Sequence, residues 1–204
     1  NLLLQETYEQ LDEKIKNENV SIERVTKGIQ ITLRGNLFQS MKANVNKSYI
    51  PIIQEISKII EDCRLFNIES SKQYSSLLSF LKEGNQELNV EIRCEGHTDD
   101  AILPPQSDYR NNWELSSARS LRVVNIMNDA STISEKYFSY NGYGEFRPLI
   151  NVSGIDDFQK KKQARAYNRR VEIYLDAFAR PKTRSSEDEF LKMLNDKFNK
   201  EDKI

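Results

Sequence analysis

Long apolar runs are missing from this 204-residue chain: the longest stretch free of Asp, Glu, Lys and Arg is nine residues, Gln73 to Leu81. A membrane-spanning helix needs about 20 mostly apolar residues, so none of these residues supplies one. An excess of one charge is missing too, because 30 basic and 31 acidic side chains leave a formal net charge of -1. Nucleic-acid binders draw much of their affinity from a basic excess, and a global one does not exist here. Cysteine is scarce: Cys63 and Cys94 stand without Cys or His neighbours at ligand spacing, which excludes a disulfide framework and a cysteine-based zinc site. They read as small buried apolar residues, with one disulfide between them as the alternative. The single histidine, His97, has no sequence neighbours that would complete a metal triad or a nucleophile–base pair. It reads as a loop-fixing hydrogen-bond group, and the chain is expected to be neither an enzyme nor a carrier of metal or cofactor.

What is present is a hydrophobic share of 38%, enough for one moderate core with polar appendages. Leu4, Tyr8, Leu11 and Ile15 recur at helical steps within Leu2 to Asn19, a narrow stripe that suits a helix flanking a domain. Val20 and Ile22, then Ile29, Ile31 and Leu33, alternate on either side of Thr26-Lys27-Gly28, which predicts a hairpin. Ile52, Ile53, Ile56, Ile59 and Ile60 predict a core-facing helix over Tyr49 to Cys63, with Pro51 in its first turn. A surface excursion with a short helix at Leu77 to Leu81 follows, ended by Gly84-Asn85. Val90, Ile92 and Cys94 then alternate with Glu91, Arg93 and Glu95 in a strand that runs directly into Gly96-His97-Thr98-Asp99-Asp100. Pro104-Pro105 enforce an extended loop, and Asn112 opens a helix carrying Leu115, Ala118, Val123, Ile126 and Met127. Tyr137 to Tyr143 reads as a strand, Asp156 to Tyr167 as a basic helix or loop, and Val171, Ile173 and Leu175 as the last strand. This order predicts an α/β fold, an α+β sandwich with helices on one side of a small mixed sheet. The boundaries are a linker helix over 1–19, the domain over 20–179, and a tail over 180–204 with Phe190, Leu194 and Phe198 on a short amphipathic helix.

Four ordered segments carry a resemblance: Gly96-His97-Thr98-Asp99, Asn112-Trp113-Glu114-Leu115-Ser116-Ser117-Ala118-Arg119, Gly142-Tyr143-Gly144-Glu145-Phe146-Arg147-Pro148 and Asn168-Arg169-Arg170-Val171-Glu172. Their order and spacing resemble the OmpA-like peptidoglycan-binding domain over roughly Gly28 to Asp176. The Asn-Trp-Glu-Leu-Ser form and the long Ile102 to Asn111 insertion resemble its MotB branch, the stator subunit of the flagellar motor. Asp100 stands where motor proteins often have Asn, adding a charge beside Asp99.

The resemblance implies a non-catalytic anchor that holds an ion-driven membrane complex to the cell wall. The expected partners are the peptidoglycan stem peptide, a MotA-like channel subunit and a second copy of the chain. The chain begins at Asn1 without a signal-like segment and reads as a fragment or processed product, and the resemblance implies a transmembrane helix upstream of Asn1 and a periplasmic domain. A MotB-like subunit of an anti-phage defence complex and an OmpA-like lipoprotein or outer-membrane anchor are the alternatives. Asp99 and Arg119 are implied as the central ligand pair, surrounded by Thr98, Asn112, Leu115, Asn168 and Arg169. The chemistry agrees, since a stem peptide offers carboxylates, amides and, with diaminopimelate, an amine. A structural Asp99–Arg119 ion pair is the bland alternative. Arg170 should face away from Arg169, because successive strand residues point to opposite faces. Trp113 reads as a packing residue beside the helix start, and Lys160, Lys161, Lys162 and Arg165 as a solvated basic face.

Overall fold

β-Branched residues in alternation build the sheet, and a run of isoleucines at helical spacing covers it. The computed structural model describes residues 2–26, 28–39, 41–66, 68 and 72–182. In chain order the elements are α1 (Leu2–Lys14), β1 (Val20–Val25), β2 (Gly28–Leu33), α2 (Ile50–Asp62), α3 (Ser75–Glu83), β3 (Gln86–His97), α4 (Asn112–Ala130), β4 (Phe138–Gly142), α5 (Phe158–Asn168) and β5 (Arg170–Pro181). The five strands form one sheet in the order β1-β2-β5-β3-β4, with only β3 and β4 parallel. The predicted mixed sheet with helices packed on it is present. The predicted helix around Phe190, Leu194 and Phe198 lies outside the described residues.

Ile53, Ile56 and Ile60 of α2 are fully buried against Ile29, Ile31 and Leu33 of β2, Ile92 of β3 and Ile173 of β5. Each such side chain contributes about 1.5–3 kcal/mol of burial free energy. Pro51 sits in the first turn of α2, where its missing N–H removes no helical bond. Ser57 Oγ donates to Met127 O at 2.7 Å and fastens α2 to α4. The two cysteines are not bonded to each other and both are buried, and burial pushes the Cys63 thiol up to about 11 and the Cys94 thiol up to about 12. They are inert core residues at neutral pH.

Two elements differ from their sequence pattern. The first helix ends at Lys14 and turns Leu3, Thr7 and Leu11 inward, so Leu4 and Tyr8 are only partly buried. It is docked on the domain rather than free of it: Leu3, Leu11 and Ile15 join the core, and Glu6 accepts from Arg64 at 3.0 Å and from Tyr74 at 2.8 Å. Strands β3 and β5 run four to six residues beyond their alternating cores, pairing from Gln86↔Pro181 to His97↔Arg170.

The two faces of the sheet are chemically different. Ile92, Cys94, Ile173 and Leu175 face the helices, while Arg93, Glu95, His97, Arg170, Glu172 and Asp176 form a polar layer behind them. Arg93 donates to Glu95 at 2.8 Å and to Asp176 at 2.9 Å, and Arg170 donates to Glu172 at 2.5 Å. Arg170 therefore does face away from Arg169.

Candidate functional site

The carboxyl end of β3, the start of α4 and the junction of α5 with β5 meet at one corner of the molecule. An open pocket of about 220 Å³ lies there, lined by Thr98, Asp99, Asn112, Leu115, Arg119 and Arg169 together with Phe38, Gln39 and Met41. Six of the seven residues singled out in the sequence share this pocket. The seventh, Asn168, lines a neighbouring pocket of about 430 Å³ that shares Thr98 and Asp99 with the first. Its side-chain amide is committed on both sides to the backbone of Ile150, at 2.9 Å each.

Local structure explains the placement. Asn111 caps α4 by accepting from Glu114 N at 2.9 Å, so the chain turns sharply after the Pro104-Pro105 loop and Arg119 falls two turns into the helix. The Gly-Tyr-Gly segment latches strand to helix. Tyr143 N donates to Gly96 O at 3.0 Å, Thr98 N to Gly144 O at 2.9 Å, and Gly144 N to Ser116 Oγ at 2.9 Å. Asn112 Nδ2 donates to Ala101 O at 3.1 Å and holds the loop after Asp99. The Thr98 hydroxyl is buried beside the pocket with no hydrogen-bond partner among the described residues.

Arg119 is 2% exposed. Its Nε donates to Lys42 O at 3.1 Å, and its guanidinium lies over the Phe38 ring at 4.8 Å. No carboxylate of the described residues lies within 4.0 Å of it, which distinguishes it from Arg169, whose Nη1 donates to Asp99 Oδ2 at 2.5 Å. The structural pair at this corner is thus Asp99–Arg169, and Arg119 feels Asp99 only through space. Burial pushes Arg119 down to about 10, with Asp99 opposing that shift, so it remains a cation at neutral pH. Asp99 Oδ1 also accepts from Ala101 N at 3.2 Å. The pocket therefore presents one buried, unneutralised guanidinium and one carboxylate already held in place.

The charge that Asp100 adds is met by Arg165, which donates to both its oxygens at 2.7 and 2.9 Å. Arg165 fastens α5 to the loop instead of belonging to an idle basic face. Its hydrogen bonds hold the Asp100 carboxyl below its ordinary value of 3.8. A depressed carboxylate contributes stability above its unfolded pKa and loses it as pH falls. Asp100→Asn is expected to cost under about 1 kcal/mol at pH 7, since the pair is partly exposed. That difference should shrink as pH drops below about 4, as measured by urea unfolding at pH 7 and pH 3.

Trp113 does pack beside the start of α4, stacked on Phe146 with centroids 5.0 Å apart, and the pair lies at the surface, 48% and 60% exposed. The reading of His97 as a loop-fixing group requires correction: it is 1% exposed, and among the described residues neither ring nitrogen has a hydrogen-bond partner within 3.5 Å, the nearest acceptor being Glu172 on β5, 3.6 Å from Nε2, rather than the loop. Phe38, Gln39 and Met41 were not anticipated, and the one signal for them was the Gly35-Asn36 break that starts their loop.

Residues 64–162 match the OmpA family. The chain is 26% identical over 177 residues to Motility protein B of Bacillus subtilis (strain 168), covering 84% of this chain and 56% of that protein. It thus spans little more than half the length of that relative. Among solved structures it is similar to the periplasmic domain of Helicobacter pylori MotB, at 22% identity and a TM-score of 0.57, covering 90% of this chain and 91% of that one. It is also similar to the cell wall anchor of the T6SS from Pseudomonas aeruginosa, at 23% identity and a TM-score of 0.58, covering 84% and 97%. At these identities the structural likeness concerns the fold.

Proposed function

From the match of residues 64–162 to the OmpA family, we propose that the pocket around Arg119 holds the stem peptide of peptidoglycan and that the protein is a non-catalytic wall anchor of the MotB type. The observation that carries this reading is the buried Arg119 guanidinium, which opens on a pocket whose carboxylate, Asp99, is bonded to Arg169 instead. A cation desolvated in this way is costly unless a partner arrives, and a planar fork matches a carboxylate best. A stem peptide supplies that carboxylate. Its amine or amide N–H groups suit Asp99, and its backbone suits the unpartnered Thr98 hydroxyl.

The likeness to Motility protein B supports the wider setting. In it the domain lies on the periplasmic side of an inner membrane, with a MotA-like channel subunit and a second copy of the chain as partners. None of the described helices is long and apolar enough to cross a membrane. Force would pass from that complex through α1, which packs on α2 and β1.

Co-sedimentation with purified sacculi tests the reading. The wild type should pellet, and Asp99→Asn should weaken binding at least about tenfold, the effect of losing one charge-assisted contact of about 1.5 kcal/mol. Its circular dichroism spectrum should remain native. Undiminished binding by Asp99→Asn and Thr98→Val together would remove the site, and release of soluble muropeptides would overturn the non-catalytic assignment.

A further inference from the structure

The polar layer behind the sheet contains a second cluster, separate from the pocket and on the opposite face of β3 and β5. Glu95 and Glu172 are direct partners across these antiparallel strands, and His97 follows two residues after Glu95 on the same face. All three are buried, and one ligand atom from each lies within 4.8 Å of the others. Carboxylates directly opposed on an antiparallel pair repel one another, more strongly out of water, so the space between them favours a cation.

The neighbouring guanidiniums address the outer oxygens. Arg93 Nε donates to Glu95 Oε1 at 2.8 Å, and Arg170 Nε donates to Glu172 Oε1 at 2.5 Å. On the inner side, Tyr174 donates to Glu172 Oε2 at 2.8 Å, Arg147 Nη1 approaches Glu95 Oε2 only to 4.0 Å, and the Arg147 side chain is largely exposed. His97 Nε2 points at Glu172 Oε2 from 3.6 Å, beyond ordinary hydrogen-bond distance, and neither of its nitrogens has a hydrogen-bond partner among the described residues. An imidazole this deeply buried, held by stacking on Tyr143 at 5.5 Å, ordinarily finds a partner. Charge points the same way. Among the described residues linked in this network, Glu91, Glu95, Glu172 and Asp176 outnumber Arg93, Arg147 and Arg170 by one.

We propose that Glu95, His97 and Glu172 form a buried three-ligand site for a divalent first-row transition-metal ion of the Zn²⁺ class. Two carboxylates and one imidazole make a nitrogen–oxygen donor set of the kind such ions accept, whereas Ca²⁺ and Mg²⁺ prefer oxygen alone. Bonds of about 2.0–2.2 Å require the three ligand atoms to close by roughly an ångström, within reach of side-chain rotation. Arg93, Arg170 and Tyr174 orient the carboxylates from outside, as groups around metal ligands commonly do. The bound ion would join the ends of β3 and β5 one residue before Thr98, at the root of the pocket.

The test uses the whole chain, stripped with a chelator, dialysed and titrated with Zn²⁺ alone. Calorimetry and elemental analysis should find one Zn²⁺ per chain, and the thermal midpoint should rise with added Zn²⁺ as expected for a ligand of the folded state. His97→Gln, which keeps a side chain able to hydrogen-bond Glu172, should abolish both effects. Glu95→Gln should do the same and serves if His97→Gln does not fold. The proposal is overturned if the wild type takes up no Zn²⁺, if either folded variant binds it equally, or if nuclear magnetic resonance finds His97 protonated at neutral pH as the cation between the carboxylates.

Discussion

Replacing Arg119 with Met is expected to lower affinity for peptidoglycan about a hundredfold or more while leaving the domain as stable as the wild type, or more so. Removing one side of a buried, hydrogen-bonded charge pair in a complex costs about 2–5 kcal/mol, and each 1.4 kcal/mol is tenfold in affinity. In the free protein the balance reverses. Arg119 has no ion-pair partner within 4.0 Å among the described residues, and its burial is severe enough to push it down to about 10. Its gains there are one hydrogen bond to Lys42 O and the stack on Phe38, each worth about 1 kcal/mol. Methionine keeps most of the volume against Phe38 and Leu115 and removes the desolvated charge. Sacculus co-sedimentation and urea unfolding, run on the same preparation, separate these effects. Retained binding with lost stability would make Arg119 a structural residue and sink its assignment as the ligand cation.

The sequence showed the core more fully than the site because the two rest on different kinds of information. Ile29, Ile31 and Leu33 announce a strand, and Ile53, Ile56 and Ile60 a helix, since periodicity is local and each burial is repeated along the element. The far ends of β3 and β5 have no such pattern. Gln86–Asn89 and Ala177–Pro181 are strands because they lie opposite one another, which no local window shows. The same distinction runs through the pocket. Thr98, Asp99, Asn112, Leu115 and Arg119 were legible because a strand end and a helix start carry them in contiguous motifs. Phe38 and Met41 sit in a loop whose shape depends on one bridge, Phe38↔Val45, and on Met41 in a left-handed conformation at φ 53°. That Asp99 pairs with Arg169 rather than Arg119 depends on side-chain reach across 70 residues. His97 looked partnerless for the same reason: the residue it faces, Glu172, is opposite in space and 75 positions away.

Gly96→Ala is expected to destabilise the fold by about 3 kcal/mol, the upper range for overpacking, and to lower the thermal midpoint by roughly 10 °C. A Cβ at Gly96 would stand 2.1 Å from Ser116 O and 2.9 Å from Ser116 C, so it would meet backbone that cannot rotate away. The contact is not isolated. Gly96 pairs with Gly142 across β3 and β4, and a Cβ at Gly142 would come within 2.4 Å of Ser117 N. These two glycines form the bare patch of sheet on which α4 rests, and Arg119 follows Ser116 by three residues on that helix. Any surviving folded protein must lift α4, which would move Arg119 relative to Asp99 on β3's end and weaken peptidoglycan binding as well. Gly84→Ala is the control, because the nearest atoms there are 3.6 Å away and the backbone is ordinary, so it should stay within about 0.5 kcal/mol of wild type. Urea unfolding of both variants, with co-sedimentation at a temperature where each is folded, gives the comparison. If Gly96→Ala matches Gly84→Ala in both measurements, the close seating of α4 on β3 is wrong, and with it the route by which the fold places Arg119 over the pocket.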